Sequence, residues 1–176
     1  MYLITAYFDE KTNKYLKNYI NKVAEASGNS FMADHNVPPH LTISAIEARE
    51  EWLPELEHTV TQLSHRLHSG TIQFVSVGAL FPYVLYTTPV LDEYLQKLQQ
   101  QIYTELTKME NVKISRFYRP YQWLPHVTLG KTLEQEQMLN AFATMQKAFA
   151  PLKGNIVEIG LAKVNPHEDL VRFTLK

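Results

Sequence analysis

The stretch Pro39-His40-Leu41-Thr42-Ile43 occurs a second time in this chain, as Pro125-His126-Val127-Thr128-Leu129. Each copy has a proline before the histidine, a threonine two residues after it, and apolar residues in the two remaining places. For a chain with 7 histidines, 9 prolines and 14 threonines among 176 residues, composition predicts only about 0.006 copies of this pattern. The two copies are therefore not explained by composition.

The spacing of the repeated stretch is typical of a strand with one polar face. Because side chains alternate across a strand, His40 and Thr42 share one face while Leu41 and Ile43 share the other. The apolar face is suited to packing on helices. The histidine and threonine face predicts a polar cleft.

The sequence around the motif is also duplicated. Residues 74–80 (FVSVGAL) resemble residues 156–162 (IVEIGLA) at an offset of 82, and residues 2–5 resemble residues 84–87 at the same offset. Short apolar strands also resemble one another by accident, but the matched order of strand, helix, histidine strand, helix and glycine strand favours a duplication.

Periodicity supplies the remaining elements. Apolar residues at helical spacing begin at Leu16, Leu53, Leu91 and Met138 and predict four helices. Short β-like runs occupy residues 2–8, 40–46, 71–80, 84–88, 126–131, 155–164 and 170–175.

The order of these elements predicts an α+β fold. We expect an internally duplicated, bilobal arrangement of two small, mostly antiparallel sheets flanked by four helices, with a cleft between the lobes. Residues 1–176 then form a single domain of two pseudo-symmetric lobes, about 1–83 and 84–176, with the last strand exchanged into the first lobe.

Composition excludes several classes of function. The absence of cysteine excludes a disulfide framework, a thiol nucleophile and a Cys-ligated zinc site, and it fits a reducing cytoplasm. A net charge of −1 provides no surface for coating DNA or an anionic membrane. No apolar run approaches the ~20 residues of a membrane span, and no basic residues flank an N-terminal apolar run. We expect a cytoplasmic protein.

The paired histidines suit phosphodiester cleavage by a general acid and a general base. With an unperturbed pKa near ~6.5, histidine can accept a proton in one copy and donate one in the other at cytoplasmic pH. The threonine hydroxyls can hold the phosphate oxygens. A 2′,3′-cyclic phosphate fits this chemistry best, because its alkoxide leaving group needs a proton.

At these residues the chain resembles the two-histidine phosphoesterases, the superfamily of bacterial 2′-5′ RNA ligase-like proteins and RNA 2′,3′-cyclic phosphodiesterases. The resemblance implies a bilobal fold and catalysis with no metal or other cofactor. It implies that His40 and His126 are the acid and base, and that Thr42 and Thr128 hold the phosphate. In the RNA-acting branch an arginine often follows the second motif; here that place holds Lys131, which lacks the bidentate fork of arginine.

Further substrate-binding candidates lie outside the motifs. They are Lys131, Arg119, Tyr121, Arg172 and Tyr83. Residues 111–125 interleave basic and aromatic side chains and lead into the second motif, which favours a role in lining the cleft; the alternative is that these aromatic side chains cover the core. Arg172 takes a place that is apolar in the related strands, and an edge-strand arginine is the alternative there.

The other histidines carry no recognisable ligand pattern. His58, His65 and His68 lie on one predicted helix without metal-ligand spacing, and His35 and His167 have no evident partner.

Three functions follow in order. The first is opening of 2′,3′-cyclic phosphates on RNA ends or small nucleotides, the second reversible 2′-5′ RNA ligation, and the third a non-catalytic RNA- or nucleotide-binding module. Which histidine is the acid, and the oligomeric state, stay open.

Overall fold

The computed structural model describes residues 1–164 and 167–176. Its strands are β1 Tyr2–Phe8, β2 Leu41–Glu47, β3 Gly70–Leu80, β4 Val84–Pro89, β5 Lys113–Ile114, β6 Val127–Gly130, β7 Leu152–Lys163 and β8 Glu168–Thr174. Its α-helices are α1 Glu10–Ser27, α2 Phe31–Asp34, α3 Leu53–Ser64, α4 Glu93–Leu106 and α5 Gln135–Ala148. Short 3₁₀ turns occupy Glu50–Trp52 and Arg116–Tyr118. No helix among the described residues is long and apolar enough to cross a membrane.

The helices begin and end at local sequence signals. The Asp9 carboxylate accepts a hydrogen bond from the Thr12 amide and caps α1, and Gly28, with φ of 67°, ends that helix in the left-handed conformation. Asp92 caps α4 in the same way. The predicted α+β class and the four long helices are confirmed; α2 is a single additional turn that the periodicity did not reveal.

All strand pairs in the sheet are antiparallel, and the strand order is β5-β2-β1-β7-β3-β4-β6 with β8 also paired to β7. The two small sheets of the prediction are joined into one through β7. The first part of this long strand pairs with β3, and its second part pairs with β1 on one side and β8 on the other. The sheet is continuous because a twelve-residue strand is long enough to serve both halves.

The strand order reads the same from both ends, since β2-β1-β7 corresponds to β6-β4-β3. Thr5 pairs with Gly160 on one side and Thr42 on the other. Tyr86 pairs in the same way with Gly78 and Thr128. The register therefore makes Tyr86, and not Thr87 as the sequence offset of 82 suggests, the counterpart of Thr5. The division into lobes at residues 83 and 84 stays a prediction.

A bulge follows each motif threonine at the same place. The β1–β2 register shifts between Ile4 and Thr5, and the β4–β6 register shifts between Leu85 and Tyr86. Such an extra residue re-aims the side chains of a strand and is common beside functional sites.

Two apolar clusters cover one face of the sheet strands. The larger contains alternate residues of β1, including Ile4 and Phe8, with Val60 of α3 and Ile102 of α4. The smaller places Leu85 and Leu129 against apolar residues of α1 and α5 such as Val23 and Met145. The other residues of β1, among them Leu3 and Tyr7, are directed away from these contacts, so the opposite face is available for a site.

The equivalent glycines Gly160 and Gly78 provide a test of the fold. A Cβ on Gly160 would lie 2.7 Å from the Val171 carbonyl oxygen of β8, whereas a Cβ on Gly78 would meet the movable hydroxyl end of Tyr86. We expect Gly160→Ala to lower the free energy of unfolding by about 1–3 kcal/mol and Gly78→Ala by less, because a strand backbone yields less than a side chain. Urea unfolding of both variants measures this, and equal losses would contradict it.

Candidate active site

The two motifs meet at one cavity of about 460 Å³. His40, His126 and Thr128 line it together. The remaining described lining residues are Leu3, Phe31, Met32, His35, Val37, Leu80, Val84, Lys131, Val164 and His167. The cavity thus combines a polar region of histidines with an apolar wall.

Both motif histidines are held by the same local hydrogen bond. His40 Nδ1 lies 2.8 Å from the Pro38 carbonyl oxygen, and His126 Nδ1 lies 2.9 Å from the Leu124 carbonyl oxygen. A carbonyl oxygen only accepts, so in each ring Nδ1 carries the hydrogen. In the neutral ring Nε2 then has a free lone pair, which is the form a general base requires.

Burial disfavours the charged form of both rings. It lowers the pKa of His40 to about 4, although the bond to the Pro38 carbonyl opposes the change. Burial also lowers the pKa of His126, against the bond to the Leu124 carbonyl. At neutral pH both rings are therefore neutral without substrate, and a bound phosphate anion would favour protonation of one of them.

A polar network surrounds His40. The His167 ring stacks on it, with 4.7 Å between ring centroids and 23° between planes. His167 Nε2 lies 3.0 Å from Asp169 Oδ1, and the Tyr7 hydroxyl donates to the same carboxylate. Burial raises the pKa of Asp169, but the hydrogen bonds from His167 and Tyr7 outweigh it and lower that pKa.

Arg172 belongs to this network. Its guanidinium lies 3.7 Å from the centroid of the Tyr7 ring and donates to Glu158, with a further contact of 3.5 Å to Asp169. Its charge is therefore already paired with two carboxylates.

The structure brings some of the predicted residues to the cavity and leaves others away from it. Thr128 and Lys131 line the cavity, whereas the Thr42 residue is buried beside it. Tyr83 is exposed and is not among the described lining residues. Arg119 and Tyr121 line separate hollows, Arg119 with Tyr103 and Tyr121 with Trp123.

Residues 111–125 pack around the first motif instead of lining the cavity. Lys113–Ile114 pairs with the edge of β2. The indole N–H of the buried Trp123 donates to the Thr42 carbonyl oxygen at 3.0 Å. This hydrogen bond joins the segment before the second motif to the backbone of the first.

Two functional candidates were missed by the sequence interpretation. His35 and His167 line the cavity, so four of the seven histidines are present there. His35 stacks on Phe31 with 4.1 Å between centroids, a contact that their i, i+4 spacing could have indicated. His167 directly precedes the final strand, and only the pairing of that strand with β7 reveals its position. Among the described residues no group of three His, Asp or Glu side chains is arranged to hold a metal ion.

Comparison with known proteins places this architecture in a family. The family model of the 2′-5′ RNA ligase superfamily matches residues 16–168. The chain belongs to the 2′-5′ RNA ligase superfamily. The predicted resemblance to two-histidine phosphoesterases is thereby confirmed, and membership supports a phosphoesterase- or ligase-type enzyme.

Solved structures share the fold of this superfamily member. They include TT0787 of Thermus thermophilus (18% identity, TM-score 0.64), a phosphoesterase (14%, 0.57) and E. coli LigT complexed with 3′-AMP (13%, 0.54). Each comparison covers 99% of this chain and 97% of the other. Among curated proteins no sequence matches the chain.

The indole hydrogen bond between the two motifs can be tested with the two tryptophans of the chain. We expect Trp123→Phe to lower the free energy of unfolding by about 1–3 kcal/mol, because the buried Thr42 carbonyl loses its donor. Trp52→Phe is the matched control, since Trp52 is half-buried and outside the two clusters. Urea unfolding measures both, and a smaller loss for Trp123→Phe than for Trp52→Phe would contradict this role.

The low pKa of His40 predicts a pH dependence of stability. The unfolded imidazole titrates near 6.5 and the folded one at about 4, so between these values only the unfolded state binds the proton. Stability is then complete above about pH 6.5 and is lost as pH falls toward 4. We expect this loss to be smaller in His40→Gln than in the exposed control His68→Gln. Thermal melting at pH 7, 6 and 5 tests it, and identical slopes would refute it.

Proposed function

We propose that this protein is a metal-independent phosphodiesterase that opens 2′,3′-cyclic phosphates of RNA ends or small nucleotides. His40 and His126 act as the acid–base pair, and Thr42 and Thr128 hold the phosphate. The observation that carries the proposal is the identical Nδ1 tether of two histidines on equivalent strands, both lining one cavity.

The reaction uses both Nε2 atoms. One neutral imidazole takes a proton from water as the water oxygen bonds to phosphorus, and the other ring, protonated in the complex, donates its proton to the ribose oxygen whose bond to phosphorus breaks. The product is a phosphomonoester with a free neighbouring hydroxyl. Afterwards the rings return to their starting states by exchange with solvent.

The cavity favours a compact substrate. Its apolar wall suits the flat body of a nucleoside, and Lys131 is the one lysine or arginine among its described lining residues. A net charge of −1 gives no extended basic surface for a long strand. The solved structures of E. coli LigT with 3′-AMP and with ATP show that this relative holds nucleotides.

Reversible 2′-5′ RNA ligation is the second candidate. The name of the superfamily favours it, and the same acid–base pair can run in the reverse direction with a ribose hydroxyl in place of water.

We expect the purified protein to hydrolyse 2′,3′-cyclic nucleotides in excess EDTA. His40→Ala and His126→Ala should each lower kcat/KM by about 10²–10⁴-fold, because each removes one proton transfer. Thr128→Val, which keeps the side-chain shape, should lower kcat/KM by about 10–10²-fold through loss of a phosphate donor.

The control variants are His65→Ala and Arg119→Ala, which change residues away from the cavity and should leave the rate unchanged. Parallel incubation with RNA halves bearing 2′,3′-cyclic phosphate and 5′-hydroxyl ends separates ligase from hydrolase. Full activity in both motif variants would overturn the proposal. Nucleotide binding without turnover in the unaltered protein would favour the binding-module alternative.

A further inference from the structure

The final strand breaks the symmetry of the site. β8 pairs with the second part of β7, opposite β1. Along the equivalent strand β3, no described strand occupies the matching place, where only β4 and β7 pair. β8 contributes Asp169 and Arg172, and His167 immediately precedes it.

His40 is therefore in contact with groups of this strand. The stacked His167 ring is oriented by Asp169, whose Oδ1 accepts from both His167 Nε2 and the Tyr7 hydroxyl. Asp169 is in turn held near Arg172. The carboxylate thus fixes the second imidazole against the face of the first.

His126 has no such neighbour among the described residues. Its closest described aromatic contact is Tyr86, tilted by 58° at 5.3 Å between centroids. By the strand register Thr88 takes the place of Tyr7, and its hydroxyl donates to the Pro125 carbonyl oxygen at 2.7 Å. The two motif histidines therefore have the same local tether but different surroundings.

The difference acts on the charged form of the ring. A proton on His40 would create an imidazolium against a second imidazole in a buried place, which costs free energy. Burial is the main cause of the lowered pKa of His40, and the adjacent His167 adds to it while Asp169 opposes it. Neither His167 nor Asp169 is among the causes that shift the pKa of His126.

We propose that β8 makes the two histidines inequivalent: His167, held by Asp169, is a positioning residue that stacks on His40 and keeps it neutral as the proton acceptor, leaving His126 as the proton donor. The assignment of base and acid rests on the proposed function, whereas the inequivalence of the two rings does not.

Other charged groups also face this part of the molecule and enter the test. They are His126 and Lys131 on either side of β6, His35 beside α2, Tyr7 on β1, Glu158 on β7, and Asp169 and Arg172 on β8. The Asp169 and Glu158 carboxylates are shared by Arg172, so the charge that changes nearest His40 is that of the Asp169–His167 pair.

Titration of the histidine rings by NMR tests the inequivalence without any substrate. In ¹⁵N-histidine-labelled protein, with rings assigned by single substitutions, we expect His40 to titrate at lower pH than His126. His167→Phe keeps a stacked ring but removes its charge, and should raise the His40 midpoint by about 0.5–1 pH unit. Asp169→Asn removes the opposing anion and should lower the midpoint.

The matched control is His35→Phe, which removes another cavity histidine whose ring stacks on Phe31 rather than on His40. It should move the His40 midpoint less than His167→Phe does. A wild-type His40 midpoint at or above that of His126 overturns the inference. So do an unchanged midpoint in His167→Phe and shifts of the same sign in His167→Phe and Asp169→Asn.

The pH profile of kcat/KM for a 2′,3′-cyclic nucleotide then tests the assignment of the base. Its acid limb reports the base in the free enzyme and should move up in His167→Phe and down in Asp169→Asn. Activity whose acid limb stays unmoved overturns the assignment of His40. Absence of activity in the unaltered protein, with the NMR shifts present, instead overturns the proposed function and leaves the inequivalence standing.

Discussion

The backbone ladder of β7 is the constraint on which this structure depends. This one strand pairs with β1, β3 and β8, and through them it joins the strands that carry the two motifs. Each motif strand is two places from the centre of the sheet, β2 beyond β1 and β6 beyond β4. The cavity between the motifs therefore exists because one long strand holds both halves in register.

Within this frame the chain uses one local device twice and then modifies one copy. The Nδ1 tethers, the bulges and the threonines on the same face are nearly equal in the two halves. Tertiary contacts make the copies differ, because β8 adds an imidazole, a carboxylate and a guanidinium beside His40. Similar local geometry thus acquires different electrostatics in the two halves, as a pair that divides acid and base roles requires.

The cavity itself combines two kinds of surface for a physical reason. The motif face of each strand is polar because its other face is occupied by the apolar clusters. Helix α2, only four residues long, and the residues after it add Met32 and Val37 to the apolar wall. A polar phosphate can then contact the histidines while an apolar or aromatic group of the same ligand contacts the wall.

Much of this could be predicted from the sequence, since it depends on local periodicity. The long helices, the limits of most strands to within a few residues, the superfamily and the polar face of each motif all follow from 3.6-residue and two-residue spacing. The two-residue strand β5 and the single-turn helix α2 were missed because such short elements leave no period.

Relations between residues far apart along the chain required the tertiary structure. Sequence comparison matched Thr87 to Thr5, whereas the ladder pairs Tyr86 in that place, because a bulge shifts a register without leaving a sequence signal. Likewise, nothing local indicates that His167 stacks on His40 or that Trp123 donates to the Thr42 carbonyl. Residue type and spacing were enough to select the candidate side chains for the chemistry. Only the folded chain set the groups that surround each of them, because burial and neighbouring charge are properties of packed strands rather than of a strand alone.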